Sequence, residues 1–130
     1  MIHVMYLNEE PFELMKKGLK KVELRLYDEK RRKVGIDDII IFLKRPENKE
    51  FLVTRVKGLA IFKSFKDLFE YLNPKLLGLG NMPVEDLVKR MKRYYTEEEE
   101  KKYGVVGIYL EVLNEWSEDV DEVLKEVISS

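Results

Sequence analysis

The stretch Gly18-Leu19-Lys20-Lys21-Val22-Glu23-Leu24-Arg25-Leu26-Tyr27 begins a strand where a helix has just stopped. Before it, Asn8 can N-cap a short helix with Glu9, Glu10 and Pro11 in its first turn, and Gly18 suits the C′ position. Phe12 and Met15 are the inward residues of that helix. After it, Val22, Leu24 and Leu26 alternate with Glu23, Arg25 and Tyr27, the period of a strand with one apolar face. Lys21, Glu23, Arg25 and Tyr27 share the opposite face. Lys20 falls at the turn, where it is expected to swing freely over the same side.

Further strands follow by the same reading. Ile39 to Phe42 is an apolar run entered through Gly35-Ile36-Asp37-Asp38, and Phe51 to Phe62 is a longer strand in which Gly58 marks a bulge. With Ile2 to Leu7 and Val105 to Val112 the count reaches about five. Between them Ser64 caps a helix carrying Leu68, Phe69 and Leu72, and Pro83 opens another with Val84, Leu87, Val88 and Met91. Thr96 and Glu99 form a capping box closed by Gly104, and Val120, Val123, Leu124, Val127 and Ile128 form one apolar helical stripe. Strands dispersed among helices without βαβ alternation predict an α+β fold with a mixed, strongly bent sheet. A small closed or half-closed barrel with peripheral helices is the economical form. Val22, Leu24, Ile40, Val53, Val105 and Ile108 are expected to be buried together, with the Leu87/Val88/Met91 helix over one opening.

No repeat or linker divides the chain, so residues 1–130 read as one domain, with 114–130 an appended acidic C-terminal helix. Hydrophobic residues at 45% exclude a disordered chain. No cysteine and a single histidine, His3, leave no material for a thiolate or imidazole metal centre, and no cofactor motif is present; His3 reads as structural. Gly78-Leu79-Gly80 lacks the residues that complete a phosphate loop. No leader or membrane-spanning run is visible, so a cytoplasmic location is expected. Charged residues make up 38% yet sum to −1, a balance resembling the ion-pair-rich surface of a heat-adapted protein. They are also segregated: residues 16–33 are strongly basic and the C-terminal third acidic, so one side can meet an anion.

The chemistry candidates lie in the opening stretch. Lys20, Glu23 and Arg25 together offer a cation, an acceptor and a bidentate donor, enough to hold a planar polar ligand. On spacing alone the ordinary reading is a solvated strand face with cross-strand ion pairs. Lys21, Lys44, Arg45 and Arg55 could extend the basic surface, while Arg31-Arg32-Lys33 reads as a solvated loop. Tyr27 and Tyr95 are candidate stacking partners for a base; Tyr94 and Tyr103 are expected in the core.

Gly18-x-Lys20-x-x-Glu23-x-Arg25 resembles the G-x-K-x-x-E-x-R signature of the ASCH family, a group of PUA-like β-barrels. The resemblance continues through Gly35-Ile36-Asp37-Asp38-Ile39-Ile40-Ile41-Phe42 and Tyr103-Gly104-Val105-Val106-Gly107-Ile108, although Ile36 interrupts the usual Gly-Asp pair. It implies a cleft with Lys20, Glu23 and Arg25 at its mouth, and RNA or a nucleoside or nucleotide as ligand, in RNA metabolism or translation-linked regulation. Some small relatives hydrolyse acetylated cytidine with a motif lysine and a threonine; Lys20 matches the lysine, but Glu23 stands where the hydroxyl would be. An amidohydrolase reading would therefore have Lys20 and Glu23 carry proton transfer. A third reading is an interaction module that docks on a protein partner through the acidic C-terminal helix.

Overall fold

The structure, a computed structural model, describes residues 1–129. Among them five strands form one mixed sheet: β1 (Ile2–Leu7), β2 (Val22–Leu26), β3 (Ile39–Lys44), β4 (Phe51–Phe62) and β5 (Val105–Val112). The order is β1-β3-β4-β5-β2, with β1 parallel to β3 and every other pair antiparallel. The helices are α1 (Glu9–Lys16), α2 (Glu29–Arg32), α3 (Phe65–Tyr71), α4 (Val84–Met91), α5 (Glu97–Tyr103) and α6 (Glu118–Ser129). The fold is α+β, a bent sheet forming a half-barrel consistent with the PUA-like class. The ladder slips between Val56 and Gly58, the expected bulge, which helps the long β4 curve.

The half-barrel leaves β1 and β2 as its two edges, and side chains bridge the seam between them. Arg25 on β2 donates through Nη2 to the Tyr6 carbonyl on β1 at 2.8 Å. Two residues back along β1, Lys30 donates to the Val4 carbonyl at 3.0 Å. These carbonyls belong to an edge that would otherwise be open to another strand.

Both faces of the sheet are covered, so the core is divided. The concave interior holds Met5, Ile40, Phe42, Val56, Val106 and Ile108 with Phe12 and Met15 from α1. On the outside, α3 and α4 cover Val22, Leu26 and Val105, and α6 lays Val120 and Leu124 on Ile41, Leu43 and Val53. This corrects the expectation of one shared cluster. Val22 and Val105, with half-buried Leu24, belong under α3 and α4, Ile40 and Ile108 inside, and Val53 beneath α6. The reason is the strand period of two, which sends neighbours to opposite faces. The α4 helix, expected over a barrel opening, packs instead on this outer cluster, with only its C-terminal end reaching an opening.

Local signals mostly have their expected effect. Gly18 adopts φ +79 and ends α1, and the Thr96/Glu99 capping box forms. Asn8 occupies the N-cap position of α1 without a side-chain cap bond. The stretch expected to be a loop at Arg31-Arg32-Lys33 is instead largely the short α2, whose start is capped by the Asp28 side chain.

Candidate functional site

β2 turns its apolar residues outward and its charged residues inward. Val22, Leu24 and Leu26 are spent against α3 and α4. Glu23 and Arg25 stand opposite Ile108 and Val106, whose side chains line the barrel interior. The polar face is therefore enclosed rather than solvated, with the Glu23 side chain 7% and that of Arg25 13% exposed.

Lys20 is held from two sides. Its main chain bridges Leu77, and the Lys20 N–H donates to the Leu14 carbonyl at the end of α1. Its Nζ donates to the Val22 carbonyl at 2.7 Å and lies 3.2 Å from Glu23 Oε1. The freely swinging cation expected from its place at a turn is thus a buried, fixed one. On the other side of the carboxylate, Arg25 Nε donates to Glu23 Oε2 at 2.6 Å. Burial alone would raise the Glu23 pKa, but Arg25 and then Lys20 outweigh it, so the carboxyl stays below its ordinary range and ionised. Arg25 is likewise affected first by burial, which Glu23 more than offsets, so its pKa is raised.

These three residues face a cleft of about 370 Å³ between the seam, α1 and the end of α4. That is near the lower end of the roughly 300–1,000 Å³ typical of small-molecule sites. Arg45, Arg90 and Arg93 also line it, with Tyr6, Tyr94 and Tyr95. Arg45 lies over the Tyr6 ring at 5.1 Å. Tyr95 stacks on Phe65 at 5.6 Å, and burial raises the pKa of its hydroxyl, which also feels Arg25 and Glu23. At the mouth, Arg90 on α4 meets Glu10 on α1 at 2.8 Å.

Of the residues singled out from sequence, Lys20, Glu23, Arg25, Arg45 and Tyr95 gather at the cleft. Four others lie elsewhere. Lys21 is exposed. Lys44 is paired with Glu13 at 3.3 Å and with Glu50 at 3.8 Å. Arg55 stands between Ile39 and Glu111 on the outer face. Tyr27 packs against the interior with Arg32 over its ring at 4.4 Å. Tyr94, expected in the core, is 60% exposed and lines the cleft. Arg90, Arg93 and Tyr6 were missed; the basic and aromatic run Lys89-Arg90-Met91-Lys92-Arg93-Tyr94-Tyr95 is the signal that points to the first two.

Comparison with known proteins agrees with this architecture. The sequence matches the ASCH domain over residues 5–114. The crystal structure of hypothetical protein PH0355 is 44% identical, with TM-score 0.78, covering 87% of this chain and all of that one. The solution structure of protein PF0455 from Pyrococcus furiosus is 40% identical, with TM-score 0.70, covering 88% of this chain and all of that one. An ASCH domain from Lactobacillus crispatus shares the fold at TM-score 0.60 and 11% identity, over 85% of this chain and 79% of that one. No curated protein matches the chain. The ASCH match spans most of the sequence and includes the segment that builds the cleft floor, and the chain belongs to the ASCH domain family.

Proposed function

We propose that this protein binds RNA or a nucleotide in the cleft over Lys20, Glu23 and Arg25, in RNA metabolism or translation-linked regulation. One observation carries the reading: the chain as a whole has net charge −1, yet five cationic side chains and two carboxylates line the cleft. A local surplus of positive charge in a concave site draws anionic ligands regardless of the total. The tyrosines at the rim offer ring faces to a base, and the arginines offer forks to phosphate. No helix among the described residues is long and apolar enough to cross a membrane.

Two features favour binding over hydrolysis of an acetylated nucleoside. No serine, threonine or cysteine is among the residues lining the cleft. Glu23, held ionised between two cations, is a weak proton acceptor. The apolar stripe of α6 is used within the fold, Val120 and Leu124 being buried against β3 and β4, so the docking reading rests on the acidic face of that helix alone. Amide-shift mapping with short single-stranded RNAs and mononucleotides tests the proposal. Shifts centred on residues 20–25 and 90–95 are expected. Shifts confined to α2 or α6, or none at all, would reject it, and turnover of acetylated cytidine that Lys20→Ala abolishes would replace it with the hydrolase.

A further inference from the structure

The cleft floor carries a pattern more specific than positive charge. Each Glu23 oxygen is taken by a different cation: Oε1 by Lys20 Nζ at 3.2 Å, Oε2 by Arg25 Nε at 2.6 Å. Read across the floor, the order is donor, acceptor, acceptor, donor. Every station has capacity left. Lys20 directs two of its three N–H groups to the Val22 carbonyl and Glu23. Arg25 directs two of its five to Glu23 and the Tyr6 carbonyl. Each carboxylate oxygen keeps a lone pair, and Glu23 is ionised, so it can only accept. The side chains are nearly buried, which fixes the row before any ligand arrives.

The complementary edge reads acceptor, donor, donor, acceptor. Guanine presents this sequence as O6, N1–H, N2–H and N3, with two parallel N–H groups spaced like the oxygens of a carboxylate. Adenine and cytosine each offer one amino group beside a ring nitrogen acceptor, which would set a lone pair against Glu23. Uracil offers a single N–H between two carbonyls, leaving one Glu23 oxygen unmatched. Unpaired bases in single-stranded RNA expose these edges.

Resting on the RNA- or nucleotide-binding reading above, we propose that the cleft takes an unpaired guanine. Glu23 accepts from N1–H and N2–H together, and the two cations donate to O6 and N3. Leu77 and Tyr95 supply walls for the flat faces of the base, and Arg45 and Arg93 at the rim meet its phosphate. The same recognition serves a free guanine nucleotide and a guanine within RNA.

Calorimetric titration of the unaltered protein tests this, with GMP, IMP, 1-methyl-GMP, AMP, CMP, UMP and a U-rich oligoribonucleotide with or without one central guanine. GMP is expected to bind tightest of the mononucleotides. IMP lacks the N2 amino group and 1-methyl-GMP lacks N1–H, so each should be weaker on the order of ten- to hundredfold. The guanine-containing oligonucleotide should exceed the U-only one; a guanine preference seen only there assigns the base to RNA rather than to a free nucleotide. Equal affinities, or a preference for AMP, CMP or UMP, would overturn the guanine assignment and leave nucleotide binding standing. Failure of every nucleotide and oligonucleotide to bind would overturn both.

Discussion

Two polar clusters interrupt the core near opposite ends of β1, and they are built differently. At its start, His3 Nε2 lies 2.8 Å from Asp38 Oδ2, which also accepts from the Gly35 N–H at 2.9 Å. Every one of these bonds holds the turn before β3, and neither residue lines the cleft. Beside its far end, Lys20, Glu23 and Arg25 satisfy one another and the Val22 and Tyr6 carbonyls, yet all three line an open cavity and keep donors and lone pairs that these bonds do not use. A polar cluster closed on itself stabilises a turn. One that is satisfied only on its protein side is prepared for a ligand.

The largest expected effect is at Glu23. Glu23→Ala leaves Lys20 and Arg25 as buried cations without their counter-charge, which should cost roughly 3–5 kcal/mol in urea unfolding. A loss below about 1 kcal/mol would mean that the triad is more solvated than its exposure indicates. Arg25→Ala comes next. It should weaken RNA binding by about 1–3 kcal/mol and reduce discrimination between ligands, because a fixed donor fork is lost. Since Arg25 also bridges the seam to Tyr6, amide exchange along β1 should quicken. Protection left unchanged there would separate the two roles.

At the other cluster the sign of the pH dependence is set by Asp38. Burial would raise its pKa, but the bonds from His3, the Gly35 N–H and the Met1 ammonium together outweigh it and bring it to about 2, from an ordinary 3.8. A carboxyl depressed on folding contributes stability that is fully present above its unfolded value and lost as pH falls toward its folded one. Asp38→Asn should therefore cost about 2 kcal/mol at neutral pH, flatten the loss of stability between pH 4 and 2, and leave RNA affinity unchanged. An effect on RNA affinity comparable to that of Arg25→Ala would erase the distinction between the clusters. The smallest effect is expected at Lys17, which is exposed near the end of α1. Lys17→Ala should act equally on all anionic ligands and lower the salt slope of RNA binding by at most about one.

The contrast between the clusters was half visible in the sequence. The Gly18 turn followed by alternating Val22, Leu24 and Leu26 defined β2 and placed Glu23 and Arg25 on one face, because such signals are local. What alternation could not say is which face of β2 would be inside. Apolar residues ordinarily mark the interior, but here helices cover the outside, so the charged face turns into the barrel. The run from Lys89 to Tyr95 marks Arg90, Arg93 and Tyr94 as candidates, but that they reach this cleft depends on where α4 docks, a long-range outcome that no window of sequence contains. Lys44 looked available for a ligand until folding brought Glu13 and Glu50 to it. The α2 helix is four residues long, too short for any period to show.

The most direct test of the central claim replaces the cluster's charges together, as Lys20→Met, Glu23→Leu and Arg25→Met in one chain. A buried ion network exchanged for apolar groups of similar size is often neutral or stabilising by about 1–4 kcal/mol. If the triad is there for a ligand, the triple variant should unfold at a urea midpoint no lower than wild type while its RNA binding is lost. A triple variant that binds RNA as wild type does would contradict the account, because the cleft floor would then have no part in recognition.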